Sequence, residues 1–253
     1  MIRSLLNRAK RKIFGASPSP VYQPHYSEVD RTIMARCQPY TMTNAIRVSA
    51  LLDAVDYIVR RNLPGAFAEC GVWRGGSVLA MIFKLQALGV NDRDIYLYDT
   101  FEGMTQPGEN DTSKFHPPAQ EEWDKAEKGG RKLYDHFFNA ATFNEASVKQ
   151  VLLDTGYPAE RLHFVRGPVE ETIPKVIADK LALVRLDTDW YESTRHELIH
   201  LYPRLVSGGI LIIDDYGHWE GARIATDEYF SAPDITPILL QRVDYTARLA
   251  IKS

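Results

Sequence analysis

Two short stretches of this 253-residue chain end apolar runs in paired acids. One reads Leu183-Val184-Arg185-Leu186-Asp187-Thr188-Asp189, the other Ile210-Leu211-Ile212-Ile213-Asp214-Asp215. Short apolar runs of this kind are expected as buried strands of a parallel sheet. Adjacent parallel strands bring their carboxyl ends to one edge, so Asp187 and Asp214 are expected to be neighbours, with Asp189 and Asp215 close by. Carboxylates crowded into one cleft resist ionisation unless a cation sits among them. A hard, oxygen-preferring divalent ion such as Mg²⁺ meets that need. The plainer role for an acid at a strand end is to cap the next helix, which Asp189 could do for a helix starting near Tyr191.

A second constellation is Glu69-Cys70-Gly71-Val72-Trp73-Arg74-Gly75-Gly76-Ser77, between a predicted strand and a predicted helix. Glycines there permit a tight turn and close approach of backbone amides to a ligand. A plain strand-to-helix turn would use the same residues. The next strand ends in Tyr98-Asp99-Thr100, an acid placed to accept hydrogen bonds from ribose hydroxyls. Asp99 lies further from the glycines than the dinucleotide pattern requires, and Glu69 would repel a pyrophosphate. NAD is therefore disfavoured. A cationic nucleoside without phosphate, S-adenosylmethionine (SAM), fits better.

These residues need a scaffold that delivers them to one edge. Strands are predicted at Ala66–Cys70, Ile95–Asp99, Leu162–Val165, Ala182–Asp187, Gly209–Asp214, Ile238–Val243 and Thr246–Ile251. Helices are predicted from about Thr43 to Asn62 and over 76–89, 145–154, 170–179, 192–206 and 219–230. This alternation implies an α/β, doubly wound, mostly parallel sheet. The last two strands are separated by Asp244-Tyr245 alone, so that pair must be antiparallel. Residues 105–140 break the alternation. They are polar, rich in Gly and Pro, and follow a strand's carboxyl end, which suits an active-site lid. Residues 15–30 carry several prolines and read as a linker. Trp73, Trp190, Trp219 and Tyr216 fall near the active edge, either as ligand contacts or as packing. His200 reads as structural and His218 is ambiguous.

The net charge of −3 hides a split. Arg3, Arg8, Lys10, Arg11 and Lys12 crowd into residues 1–14 with no acid among them, so the rest of the chain is more acidic than the total suggests. An acidic body is a poor binder of nucleic acid, and none is expected. No apolar run is long enough for a transmembrane helix, and no secretory signal is evident. Residues 1–14 could form a short basic amphipathic helix, giving at most weak peripheral contact with anionic membrane. Cys37 and Cys70 make neither a disulfide framework nor a metal spacing, which suits a cytoplasmic protein.

The stretches Pro39-Tyr40-Thr41-Met42-Thr43, Glu69 to Gly76, Leu186-Asp187-Thr188-Asp189-Trp190-Tyr191-Glu192-Ser193-Thr194 and Ile213-Asp214-Asp215-Tyr216 together resemble the macrocin O-methyltransferase family. The resemblance covers residues 35–252, leaving 1–34 as a basic extension and linker before a single domain over 35–253. It implies a Rossmann-like class I methyltransferase with a seven-stranded, mostly parallel sheet and one antiparallel strand. It further implies SAM and Mg²⁺ as cofactors, and Asp187, Asp214 and Asp215 as metal ligands. Glu69, Gly71 and Asp99 match cofactor positions, with Thr41, Met42, Trp73, Gly75 and Ser77 expected beside them. Asp189 matches a proposed general base, and the lid histidines His116 and His136 are the other candidates. The implied acceptor is a small molecule or glycan with vicinal hydroxyls, on a sugar or glycoside, and a homo-oligomer is expected. A catechol-like phenol, or SAM binding without catalysis, are the alternatives.

Overall fold

A computed structural model describes residues 25–140 and 142–253. The helix expected over residues 1–14 and most of the proline-rich linker lie outside the described residues. The elements run α1 (Glu28–Cys37), α2 (Ala45–Arg60), β1 (Ala66–Cys70), α3 (Gly76–Ala87), β2 (Ile95–Asp99), α4 (Ala119–Lys128), α5 (Glu145–Leu153), β3 (Leu162–Arg166), α6 (Val169–Thr172), β4 (Leu181–Leu186), α7 (Tyr191–Leu201), β5 (Leu205–Ile213), α8 (Glu220–Ser231), β6 (Gln241–Arg242) and β7 (Arg248–Ile251).

Among the described residues the strands form one seven-stranded sheet of order β3-β2-β1-β4-β5-β7-β6. β7 is antiparallel to both neighbours and the other pairings are parallel. The order of strands switches between β1 and β4, with β2 and β3 added on one side and β5 on the other, which places a crevice at the carboxyl ends of β1 and β4. One face is packed by Ile33, Met34 and Cys37 of α1, Leu51, Val55 and Ile58 of α2, Val78 and Ile82 of α3, and Val148 and Leu152 of α5. Leu198 and Leu201 of α7 cover the other face, above Val184, Leu186, Leu211 and Ile213. Hydrophobic burial from both sides explains why β1, β4 and the second half of β5 read as mostly apolar, with Glu69 and Arg185 as the charges inside them.

The structure departs from the sequence reading in places where local chemistry decides. The stretch read as linker already starts α1 at Glu28, because the Ser27 hydroxyl accepts the Asp30 amide at 3.0 Å and caps the helix. The helix expected over 170–179 is only α6, since Pro174 cannot continue it. The helix expected to reach 206 ends at Leu201, and β5 begins at Leu205, just beyond Pro203. The strand expected over 238–243 pairs only at Gln241–Arg242.

Residues 105–140 contain α4 and are tied down on the body. Ala119 and Leu133 pack with Trp190, Trp219 and Ala222. The Trp190 indole donates to the Thr105 carbonyl at 3.0 Å. Asp111 is buried and accepts from the Gly108 and Tyr191 amides at 2.7 Å each, so an insertion residue caps α7. A side chain at Gly221 would meet the Asp111 carboxylate at 1.9 Å, so glycine there makes the docking fit.

Candidate active site

Backbone ladders continue past the strands and draw the acidic ends together. The Asp187 amide donates to the Cys70 carbonyl, the Asp214 amide to Leu186 and the Gly71 amide to Tyr98, each at 2.9 Å. The edge they form lines a cavity of about 390 Å³. A Cβ at Gly71 would lie 1.9 Å from the Asp187 carbonyl oxygen, and its φ of +81° suits glycine, so no other residue fits between these strand ends. Trp73, Phe101 and Asp189 also adopt positive φ around this edge, a strained backbone that clusters at functional sites.

Asp187, Asp214 and Asp215 each offer a carboxylate oxygen within 4.8 Å of the others. Hard oxygen donors at this spacing suit a divalent cation. Burial pushes the Asp187 carboxyl up, against the pull of Arg185. Asp215 is also raised by burial, and then by the charge of Asp189. Asp189 sits beside them, its amide 3.3 Å from Asp215 Oδ2. Burial and then the charge of Asp187 push the Asp189 carboxyl up to about 7. Asp189 does not cap α7, because the Tyr191 amide is taken by Asp111.

Two arginines meet these acids, and neither was singled out from sequence. Arg185 on β4 is fully buried and opposite Glu69 in the β1–β4 register. Its guanidinium contacts Glu69 at 2.6 Å, Asp187 at 2.7 Å and Asp214 at 2.6 Å. A charge inside an otherwise apolar strand was the available signal. Arg47, in the first turn of α2, pairs with the second oxygen of Asp214, and its Nε lies 3.3 Å from Asp244. Nothing local in the α2 sequence marks Arg47, because its partners lie far along the chain. Glu197 on α7 is also buried; one oxygen accepts from the Thr188 hydroxyl at 3.0 Å, bracing the turn between Asp187 and Asp189. Burial pushes its carboxyl well up.

Toward β1 and β2 the cavity is lined by Thr41, Met42, Glu69, Gly71, Trp73, Ser77 and Asp99. Gly75 faces Val148 and Leu152 and is outside the lining. Glu69 keeps one buried oxygen without a hydrogen-bond partner among the described residues, and burial pushes its carboxyl up to about 8. Asp99 holds the turn itself, accepting from the Val72, Trp73 and Phe101 amides at 2.7, 2.9 and 2.6 Å. Its capacity for a further donor is therefore small. The opposite wall carries His116, His218, Trp219 and Tyr245. His116 and His218 approach at 3.0 Å through Nε2, and His218 Nδ1 is 3.0 Å from the Tyr245 hydroxyl. Burial and then His116 lower the His218 pKa. His136 is exposed and outside the lining, packed on Phe137. Trp190 is packing, and Tyr216 bonds Asp227 away from the cavity.

A sheet of this order, with acids at the carboxyl ends of β1, β2, β4 and β5, defines a Rossmann-like class I methyltransferase. The family model of macrocin O-methyltransferase (TylF) matches residues 25–250. A demethyldecarbamoylnovobiocin O-methyltransferase of Streptomyces niveus is 32% identical over 202 residues, covering 79% of this chain and 71% of that protein. A relative from Streptomyces olivaceus, named 8-demethyl-8-(2,3-dimethoxy-alpha-L-rhamnosyl)-tetracenomycin-C 4'-O-methyltransferase, is 32% identical over 205 residues, 80% of this chain and 73% of its own. The solved O-methyltransferase NovP superposes with a TM-score of 0.70 at 28% identity, covering 85% of this chain and 82% of that one. The chain belongs to the macrocin O-methyltransferase family. It is a SAM-dependent O-methyltransferase. The match begins at residue 25, ahead of the expected start at 35, and so includes α1.

Proposed function

We propose that this enzyme methylates a hydroxyl of a sugar on a glycosylated acceptor, with a divalent cation held by Asp187, Asp214 and Asp215. The observation that carries this is the set of three carboxylates within 4.8 Å on the wall of a cavity shared with Asp189 and Glu69. The donor set fits Mg²⁺: all donors are carboxylate oxygens, and Asp187 is partly open to the cavity. The acceptor class is supported by the relative whose name specifies a rhamnosyl group. A cation bound there would lower the pKa of a chelated hydroxyl, and SAM would supply the methyl group.

The chain's own residues then have distinct tasks. The free buried oxygen of Glu69 suits an ammonium such as that of the SAM amino acid. Asp99 keeps the Val72–Trp73 turn in shape to receive the nucleoside. Asp189 takes the hydroxyl proton, and Glu197 steadies its turn through Thr188. His116 is retained as a second candidate base because it lines the cavity. Residues 105–140 serve as the lid, with Trp219 and Tyr134 against the acceptor. Both cysteines are buried free thiols, in keeping with a reducing, cytoplasmic setting. No helix among the described residues is long and apolar enough to cross a membrane.

The test is methyl transfer from labelled SAM, with Mg²⁺ present, to a panel of glycosides with vicinal hydroxyls and to a catechol. Label on a sugar oxygen supports the proposal. Label on the catechol alone, or none on any acceptor despite SAM binding, overturns it.

A further inference from the structure

We infer that Arg47 is a built-in competitor of the divalent cation, a positioning residue that acts through Asp214 and is held in reserve by Asp244. The inference rests on the metal reading above. Asp214 is shared by two guanidinium groups: Arg185 takes Oδ1 at 2.6 Å and Arg47 takes Oδ2. These two arginines differ in setting. Arg185 is locked, fully buried, with Glu69 and Asp187 as further partners. Arg47 reaches in from the amino-terminal turn of α2 and lines the cavity wall, and its Nε has no hydrogen-bond partner among the described residues.

A second carboxylate lies beside that Nε without being hydrogen-bonded to it. Asp244 lies 3.3 Å from it and is itself fixed by the amides of Thr246 and Ala247, at 3.0 and 2.8 Å, and by the Asn44 side chain at 2.7 Å. Asn44 also caps α2 by accepting the Arg47 amide at 3.0 Å. Asp244 is absent from the group of acids close enough to share an ion. The arginine therefore stands between a carboxylate that the cation needs and one that it does not. Guanidinium in contact with Asp214 neutralises the acid cluster when no cation is present. Cation binding requires that contact to loosen, because Arg185 already holds the other oxygen of Asp214 and a cation would be the third positive group on one carboxylate. Asp244 gives the displaced guanidinium an ionic partner a short swing away, so Arg47 need not be expelled into water.

The pair predicts opposite effects from two neighbouring substitutions. Arg47→Met removes the competitor, and affinity for Mn²⁺ should rise about tenfold, which is about 1.4 kcal/mol. Asp244→Asn removes the alternative partner and should weaken Mn²⁺ binding severalfold. In Arg47→Met/Asp244→Asn the second change should have no further effect, because the residue it acts through is gone. Arg47→Lys keeps the charge and should stay near wild type. The probe is Mn²⁺ alone, titrated into full-length protein, with free Mn²⁺ read by electron paramagnetic resonance and folding checked by circular dichroism. Wild-type binding with unchanged or weaker binding by folded Arg47→Met overturns the inference and leaves the metal reading intact. Should Arg47→Met fail to fold, the outcome rests on Asp244→Asn, where unchanged or tighter binding overturns it. No Mn²⁺ uptake by wild type overturns the metal reading, and the inference falls with it.

Discussion

Replacing Asp111 with alanine should release the 105–140 insertion from the body of the enzyme. Asp111 is 2% exposed, and its carboxylate accepts two backbone amides at 2.7 Å, Gly108 within the insertion and Tyr191 at the start of α7. Losing a helix cap costs about 1 kcal/mol. Leaving a buried amide without an acceptor adds about 1–3 kcal/mol. The combined loss of about 2–4 kcal/mol corresponds to a fall in Tm of about 5–15 °C for a chain of this size. Asp111→Asn retains one acceptor oxygen, so it can satisfy the Tyr191 amide while its NH₂ opposes the Gly108 amide. It should fall between wild type and alanine. Thermal unfolding by circular dichroism gives the stability change, and limited proteolysis reports whether cleavage within 105–140 is faster. An alanine variant with unchanged Tm and unchanged protection of this segment would refute the docking argument.

Three further outcomes follow from the site. Asp189→Asn should lower kcat by about 10²- to 10⁴-fold while Mn²⁺ binding persists, and an unchanged rate would shift the base to His116. Gly71→Ala should abolish SAM binding in calorimetry, since its Cβ would overlap the Asp187 carbonyl; near-normal affinity would show that the edge can open. Cys37 is 0% exposed and burial pushes its thiol up to about 12, and Cys70 is likewise buried and raised. Neither should react with a disulfide reagent at neutral pH until the protein unfolds; rapid labelling of folded protein would contradict this.

The parallel strands β1, β2, β4 and β5 and the acids at their carboxyl ends were legible because burial on both sides writes a mostly apolar run that stops at polar residues. The acids could be grouped from topology alone. What the sequence hid were partners distant along the chain. Arg47 reaches Asp214 and Asp244 across the fold, and no periodicity in α2 marks it. Asp111 looks like one polar residue in a polar loop, yet it caps a helix that starts at Tyr191. Asp99 was read as a ribose acceptor from its place at a strand end, whereas its carboxylate is largely committed to three backbone amides. His136 and His116 looked equivalent in sequence. The path of the insertion carries only His116 to the cavity wall. The helices that fell short stopped near Pro174 and Pro203, whose local effect outweighed the apolar pattern.

The most direct test of the account is the divalent-ion dependence of methyl transfer to a glycoside acceptor. The carboxylate set of Asp187, Asp214 and Asp215 predicts that EDTA abolishes transfer by the wild-type enzyme, and that Mg²⁺ in excess restores it. Undiminished transfer in EDTA, after exhaustive removal of bound metal, would contradict the role given to these three residues.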